Sequence, residues 1–199
     1  MTKLFPLIAL LFSASAFASI VGITTHPLSD DARVLSAEMT GYMSQRHEMG
    51  AGVRYTQGFD GNLLDVTAAG AQNSRSMIVG AGMDFEILRE DMNQPRVSMK
   101  PYVQQMSFES RSSTLIGAAP SLRKGFTAGG KEIFPYLSLP NGVRLDNKEQ
   151  ELVFYSSLTF GASMALPRSQ ERLVLTLEAN KDLGASSDSV GALISWVWN

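Results

Sequence analysis

Cysteine is absent from the 199 residues, which excludes a disulfide framework, a thiolate metal site and a lipid-modifiable cysteine. The chain is therefore not expected to be a lipoprotein. Histidine is nearly as scarce, with His26 and His47 alone. His26 precedes Pro27 near Asp30 and Asp31, and His47 stands in a turn beside Glu48. Neither makes the Ser-His-acid or Asp-His spacing that activates a nucleophile or a water. Two histidines without a motif fall short of a zinc site, and Asp30-Asp31, or Asp60 with Asp65, lack the spacing of a calcium loop. The expectation is a protein with no catalytic residues, no metal and no cofactor.

Charge is also thin, at 18% of residues, with 17 basic against 19 acidic side chains. That near-balance leaves no basic field for nucleic acid. Long apolar runs are missing after Phe17, so no helix is expected to span a membrane, which takes about 20 apolar residues. The front of the chain has Lys3, the apolar stretch from Leu4 to Phe12, and then Ala16-Phe17-Ala18. This is the anatomy of a secretory signal cleaved after Ala18. The alternative, an uncleaved anchor, has too short an apolar stretch. Loss of Lys3 leaves 16 basic residues against 19 acidic and a net charge of −3, in one domain over 19–199.

What the sequence does have is alternation, apolar on one side and small or polar on the other, with a mean hydropathy of zero. Residues 33–45 set Leu35, Ala37, Met39 and Met43 against Ser36, Glu38 and Thr40. Residues 48–57 set Met49, Ala51, Val53 and Tyr55 against Arg54 and Thr56, and 62–70 is a poorer candidate with Leu64, Val66 and Ala68. Residues 75–88 alternate clearly, apart from Ile78 and Leu88. Residues 96–108 lose their phase near Gln104-Gln105, where a bulge is expected. Segments 114–127 and 131–139 follow, interrupted by Pro120 and Pro135 as the preceding one is by Pro101. Residues 140–150 then read as a polar loop. The strands at 151–166 and 171–181 lead to the last, 188–199, with Val190, Ala192, Ile194, Trp196 and Trp198 on one face.

Ten strands result, with eight as the alternative, and the fold class is all-β, a closed antiparallel transmembrane β-barrel. The face opposite the apolar one decides its environment. In a soluble sandwich or lipocalin-like barrel it would be rich in Lys, Glu and Asp. Here it holds Gly80, Gly82, Ser157, Gly161, Ser163, Gly191 and Ser195, which suit a confined lumen, while Trp196, Trp198, Tyr42 and Tyr55 provide a thin aromatic girdle. The ten Met lie mostly on the apolar face as packing residues. The same inner face carries Glu38, Arg54, Asp84, Glu86, Lys100, Arg123, Arg172 and Glu178. Charges in a narrow interior are expected to pair across strands. They either plug the barrel or line a narrow pore for ions or small solutes, with plug favoured because few strands leave little room.

With that ending, the chain resembles the small outer-membrane β-barrel proteins of Gram-negative bacteria. Their closing strand has a polar residue, a glycine two later, then apolar and aromatic positions, matched by Ser189, Gly191, Ile194 and Trp196; Asn199 follows Trp198, where the family usually stops on an aromatic residue. The resemblance implies outer-membrane lipid, the barrel-insertion machinery and periplasmic chaperones as partners, and a structural or porin-like role in the outer membrane. It also admits an outer-membrane hydrolase, although the His-x-Ser-Asn pattern of lipid A deacylases is missing. Two alternatives remain: a surface-loop adhesion module using Gly58 to Asp60 and residues 140–150, and a soluble periplasmic lipid-binding barrel.

Overall fold

The computed structural model describes residues 27–42, 49–71, 76–108, 111–146, 152–166, 172–184 and 188–199. The expected signal segment, His26, His47, the turn at 45–47 and the last residues of the 140–150 loop lie outside them. The strands are β1 (Arg33–Tyr42), β2 (Met49–Phe59), β3 (Asn62–Ala71), β4 (Ser76–Leu88), β5 (Arg96–Phe108), β6 (Arg111–Arg123), β7 (Phe126–Ala128), β8 (Lys131–Ser138), β9 (Asn141–Asp146), β10 (Leu152–Ala165), β11 (Leu173–Asp182) and β12 (Ser189–Trp198).

Each strand pairs antiparallel with its neighbours, and β12 returns to β1 from Arg33↔Trp198 to Tyr42↔Ser189, closing the sheet. β8 and β9 both lie between β6 and β10, so they are two halves of one stave. β7 only extends the β6 side as a hairpin on β8. The result is a closed barrel of ten staves. One end carries β1's start, the chain's last residue, the tight turn at Asp60 and Gly61, and the 89–95 loop; we call it the terminus end. Asp60 and Gly61 both have positive φ, 48° and 74°, the backbone of a two-residue hairpin turn.

Burial gives the barrel its orientation. Inward positions hold Glu38, Arg54, Asp65, Lys100, Ser157 and Glu178, all buried, while outward Leu35, Val53, Ile116 and Leu177 are exposed. One row of cross-strand partners winds round the outside through Leu173, Trp196, Leu35, Tyr55, Val66, Ala81, Val103, Ile116, Val143 and Phe154. Every member is apolar or aromatic, the reverse of a water-soluble surface. Leu173, Leu175, Ile194 and Trp196 lie on this outer wall with no second layer over them among the described residues, and Trp196 is 50% exposed.

Four expectations change. Residues 141–146 are not a loop but β9: Pro140 lacks an N–H, yet its carbonyl still accepts Ser157 N at 2.9 Å, so pairing resumes at once. Segment 114–127 breaks at 124–125 into β6 and β7. The β5 register against β6 runs unbroken through Gln104 and Gln105; the irregularity sits in β4, between Glu86 and Leu88. The phase near Gln104 was misleading because the lumen turns apolar there, with Tyr102 packed on Leu115, Ala119 and Met106, and Ile78 on Ala69. Finally, Gly58 and Phe59 are not loop residues but the end of β2, and the turn there is Asp60 and Gly61.

Candidate functional site

The lumen is where this chain concentrates its chemistry. Alternation turns every second residue inward, and five strands bring ionised groups to the same height of the barrel. Arg54 of β2 pairs with Glu38 of β1, the two side chains being 1% and 2% exposed. Lys100 of β5 reaches Asp65 of β3 across β4 at 2.6 Å. Tyr136 of β8 donates to Glu178 of β11 at 2.6 Å. Arg54 lies within electrostatic reach of Asp65 and Glu178 as well as Glu38, so these side chains form one transverse layer, the waist. Hydroxyl pairs complete the lining, Ser36 with Ser195 at 2.8 Å and Ser98 with Ser121 at 2.6 Å.

A buried charge is tolerable only with partners, and the partners here are close, on the adjacent stave for Glu38 and Arg54 and two staves apart for Lys100 with Asp65 and Tyr136 with Glu178. The side chains of the layer are buried and bonded to one another. Among the described residues, no group of three or more metal-ligating side chains converges.

A second set of charges rims the terminus end. Arg96 donates Nη1 to Asp84 at 3.0 Å and Nε to Glu86 at 2.9 Å. Arg123 pairs with Glu90 at 3.2 Å and lies over the Phe134 ring, 5.6 Å from its centroid. Lys124 Nζ is caged by the carbonyls of Asp91, Met92 and Gln94, and Gly125 N donates to Glu90, so the 89–95 loop is pinned against the end of β6. The stretch before β1 is tied across the same mouth: Gly61 N donates to Asp30 at 3.0 Å, Gly58 N to the Ala32 carbonyl at 2.8 Å, and Ser29 Oγ to Asn199 at 3.2 Å. Between these elements opens a cleft of about 440 Å³ lined by Leu28, Asp30, Arg89, Arg96, Arg123 and Phe134, among others.

Of the charged residues expected in the lumen, Glu38, Arg54, Lys100 and Glu178 meet at the waist, and Asp84, Glu86 and Arg123 at the terminus end. Arg172 is a correction: it precedes β11 and is exposed, and its carbonyl accepts Val197 N at 2.7 Å. It has the inward parity of Val174 and Thr176 but stands beyond the end of the wall. Four residues that complete the pairs were missed. Asp65 and Tyr136 alternate with outward neighbours and had a readable signal; Arg96 begins a strand, and Glu90 lies in a loop where periodicity says nothing. Of the closing strand, Ile194 and Trp196 face outward and Ser189 is buried inward. Of the girdle, Tyr55 faces outward, while the Tyr42 side chain is outside the described set.

No protein-family model matches the chain, and no curated protein matches it by sequence. Solved structures do match in fold. The β domain of the Bordetella autotransporter Brka aligns with a TM-score of 0.52 at 12% identity, over 84% of this chain and 99% of that one. An outer membrane channel from Pseudomonas putida F1 aligns with a TM-score of 0.51 at 8% identity, over 90% of this chain and 100% of that one. The chain has the fold of outer-membrane β-barrel proteins.

Proposed function

We propose that the chain is an integral outer-membrane β-barrel, delivered through a signal cleaved after Ala18 and inserted by periplasmic chaperones and the barrel-insertion machinery. Its role on this reading is structural, with the lumen shut to solutes at the waist. One observation carries the proposal: ionised groups are buried inside while an unbroken apolar row covers the outside. In water this arrangement leaves apolar area exposed and charges desolvated on the same strand; in hydrocarbon both faces are satisfied. No catalytic role, metal or cofactor is assigned.

The second reading is a narrow channel. It is favoured by the acid excess of the buried interior, where Glu38, Asp65, Asp84 and Glu178 stand against Arg54, Arg96 and Lys100. Rearrangement of the waist would then admit small cations in preference to anions. Membrane fractionation with heat-modifiable gel mobility tests the location: recovery in the outer-membrane fraction supports it, and recovery as soluble periplasmic protein overturns it. Planar-bilayer conductance separates the roles, since a plugged barrel gives no steady steps. In a conducting barrel, charge reversal at Glu38 or Arg123 shifts the ion selectivity.

A further inference from the structure

We propose that a thread of ordered water runs along the β2–β6 wall of the lumen, from the terminus-end cleft past the waist towards the opposite end, held by Asp84, Arg54, Thr67, Gln104 and Ser113. The inference rests on the closed-lumen reading above and deepens it: a barrel shut to solutes still conducts water.

Each of these residues is buried and has a polar atom with no hydrogen-bond partner among the described residues: Asp84 Oδ1, Arg54 Nε, Thr67 Oγ1, Gln104 Nε2 and Ser113 Oγ. Buried polar atoms are almost always hydrogen-bonded, and a single orphan is costly. Five along one wall are not an accident of packing, because the register joins them. Arg54 stands opposite Thr67, Thr67 opposite Gly80, and Gly80 opposite Gln104. Gly80 has no side chain, so β4 itself places no polar group between Thr67 and Gln104. Gln104 faces Leu115, and the next inward residue towards the loops on β6 is Ser113. In the other direction, Asp65 faces Gly82, and the next inward residue of β4 is Asp84. The second oxygen of Asp84 holds Arg96, which lines the open cleft.

The mixture of groups identifies the occupant. Asp84 Oδ1 only accepts, Arg54 Nε and Gln104 Nε2 only donate, and the two hydroxyls do either. An ion of one sign would satisfy part of this set and be repelled by the rest. Water gives and takes, and buried water typically makes two to four such bonds.

The test uses the full chain, folded in detergent micelles or in plain buffer if it folds there. Proton NMR should show long-lived cross-peaks between water and the Gln104 side-chain amide. In vesicles, osmotic water flux should fall several-fold for the T67V/Q104L variant and stay unchanged for S163A, which removes an orphan hydroxyl on β10. Absent cross-peaks in the unaltered chain overturn the thread, and so do cross-peaks with undiminished flux, which reduce it to isolated waters. A chain that fails to float with vesicles yet keeps the Gln104 cross-peaks counts against the membrane reading, and leaves the internal water established.

Discussion

Glu38 stands directly opposite Gly52 and pairs along the wall with Arg54, two residues on from that glycine. The arrangement recurs. Asp65 faces Gly82, Tyr102 faces both Gly82 and Gly117, Tyr136 faces Gly161, and Glu178 lies between Gly161 and Gly191. A ten-stave barrel cannot hold a long side chain on every stave at one height. Long groups therefore alternate with glycines around the ring, and the glycines of the inner face are volume complements of the charged plug.

Arg54→Met leaves Glu38 buried without its cation, and breaking a buried pair in this way costs about 3–5 kcal/mol. Replacing both partners with apolar groups of similar volume, E38L/R54M, should recover most of the loss. Equilibrium urea unfolding of the refolded barrel measures both. Equal losses in the single and double variants would show that the pair does not act as a unit.

Gly161→Ala tests the volume argument. A β-carbon there would lie 2.7 Å from the Tyr136 ring and would also meet the backbone of β11, so overpacking should destabilise by about 1–3 kcal/mol. Gly41 of β1 points outward, and its nearest neighbour would be Val190 at 4.0 Å. Gly41→Ala should be neutral or raise stability by up to about 1 kcal/mol through the unfolded chain. A comparison of the two unfolding midpoints decides the matter, and a similar shift for both would sink the complement idea.

Period-two alternation made the wall legible from sequence: β5 begins and ends where the pattern does, and Glu38, Arg54, Lys100 and Glu178 all take the inward parity expected of them. Parity says which face a residue occupies but not its height, which is why Arg172 was grouped with residues it never meets. Nor does parity identify partners two staves away, such as Asp65 for Lys100, because the register between strands is set by turns and packing. Pro140 hid β9 because proline normally ends a strand, whereas in a closed barrel the neighbours on both sides hold the stave in place after the break. The caged Lys124 is tertiary in origin, made by a loop with no periodicity of its own.

Lys124→Met removes the cation from the carbonyl cage of Asp91, Met92 and Gln94. The Asp91 and Gln94 backbones still bond to each other at 3.1 and 3.2 Å, so the loop should keep its turn but detach from the end of β6. The expected result is faster proteolytic cleavage within 89–95, with the barrel transition moved by no more than about 0.5 kcal/mol, the usual range for a surface change. Limited proteolysis followed by mass spectrometry reads this directly. Unchanged protection would mean that Glu90, through Arg123 and Gly125, holds the loop alone.

Leu177 separates the environments of the barrel with one substitution. It is 56% exposed, faces outward midway along β11, and stands between Ala162 and Ala192, while its neighbours Thr176 and Glu178 are buried inside. If hydrocarbon covers that face, Leu177→Arg places a charge near the middle of the bilayer and should cost about 2–4 kcal/mol in lipid vesicles. If water covers it, the same change on an exposed position should fall within about 0.5 kcal/mol. The expected outcome is the large loss in vesicles. A small loss there would mean that lipid does not surround this wall, whatever the lumen contains.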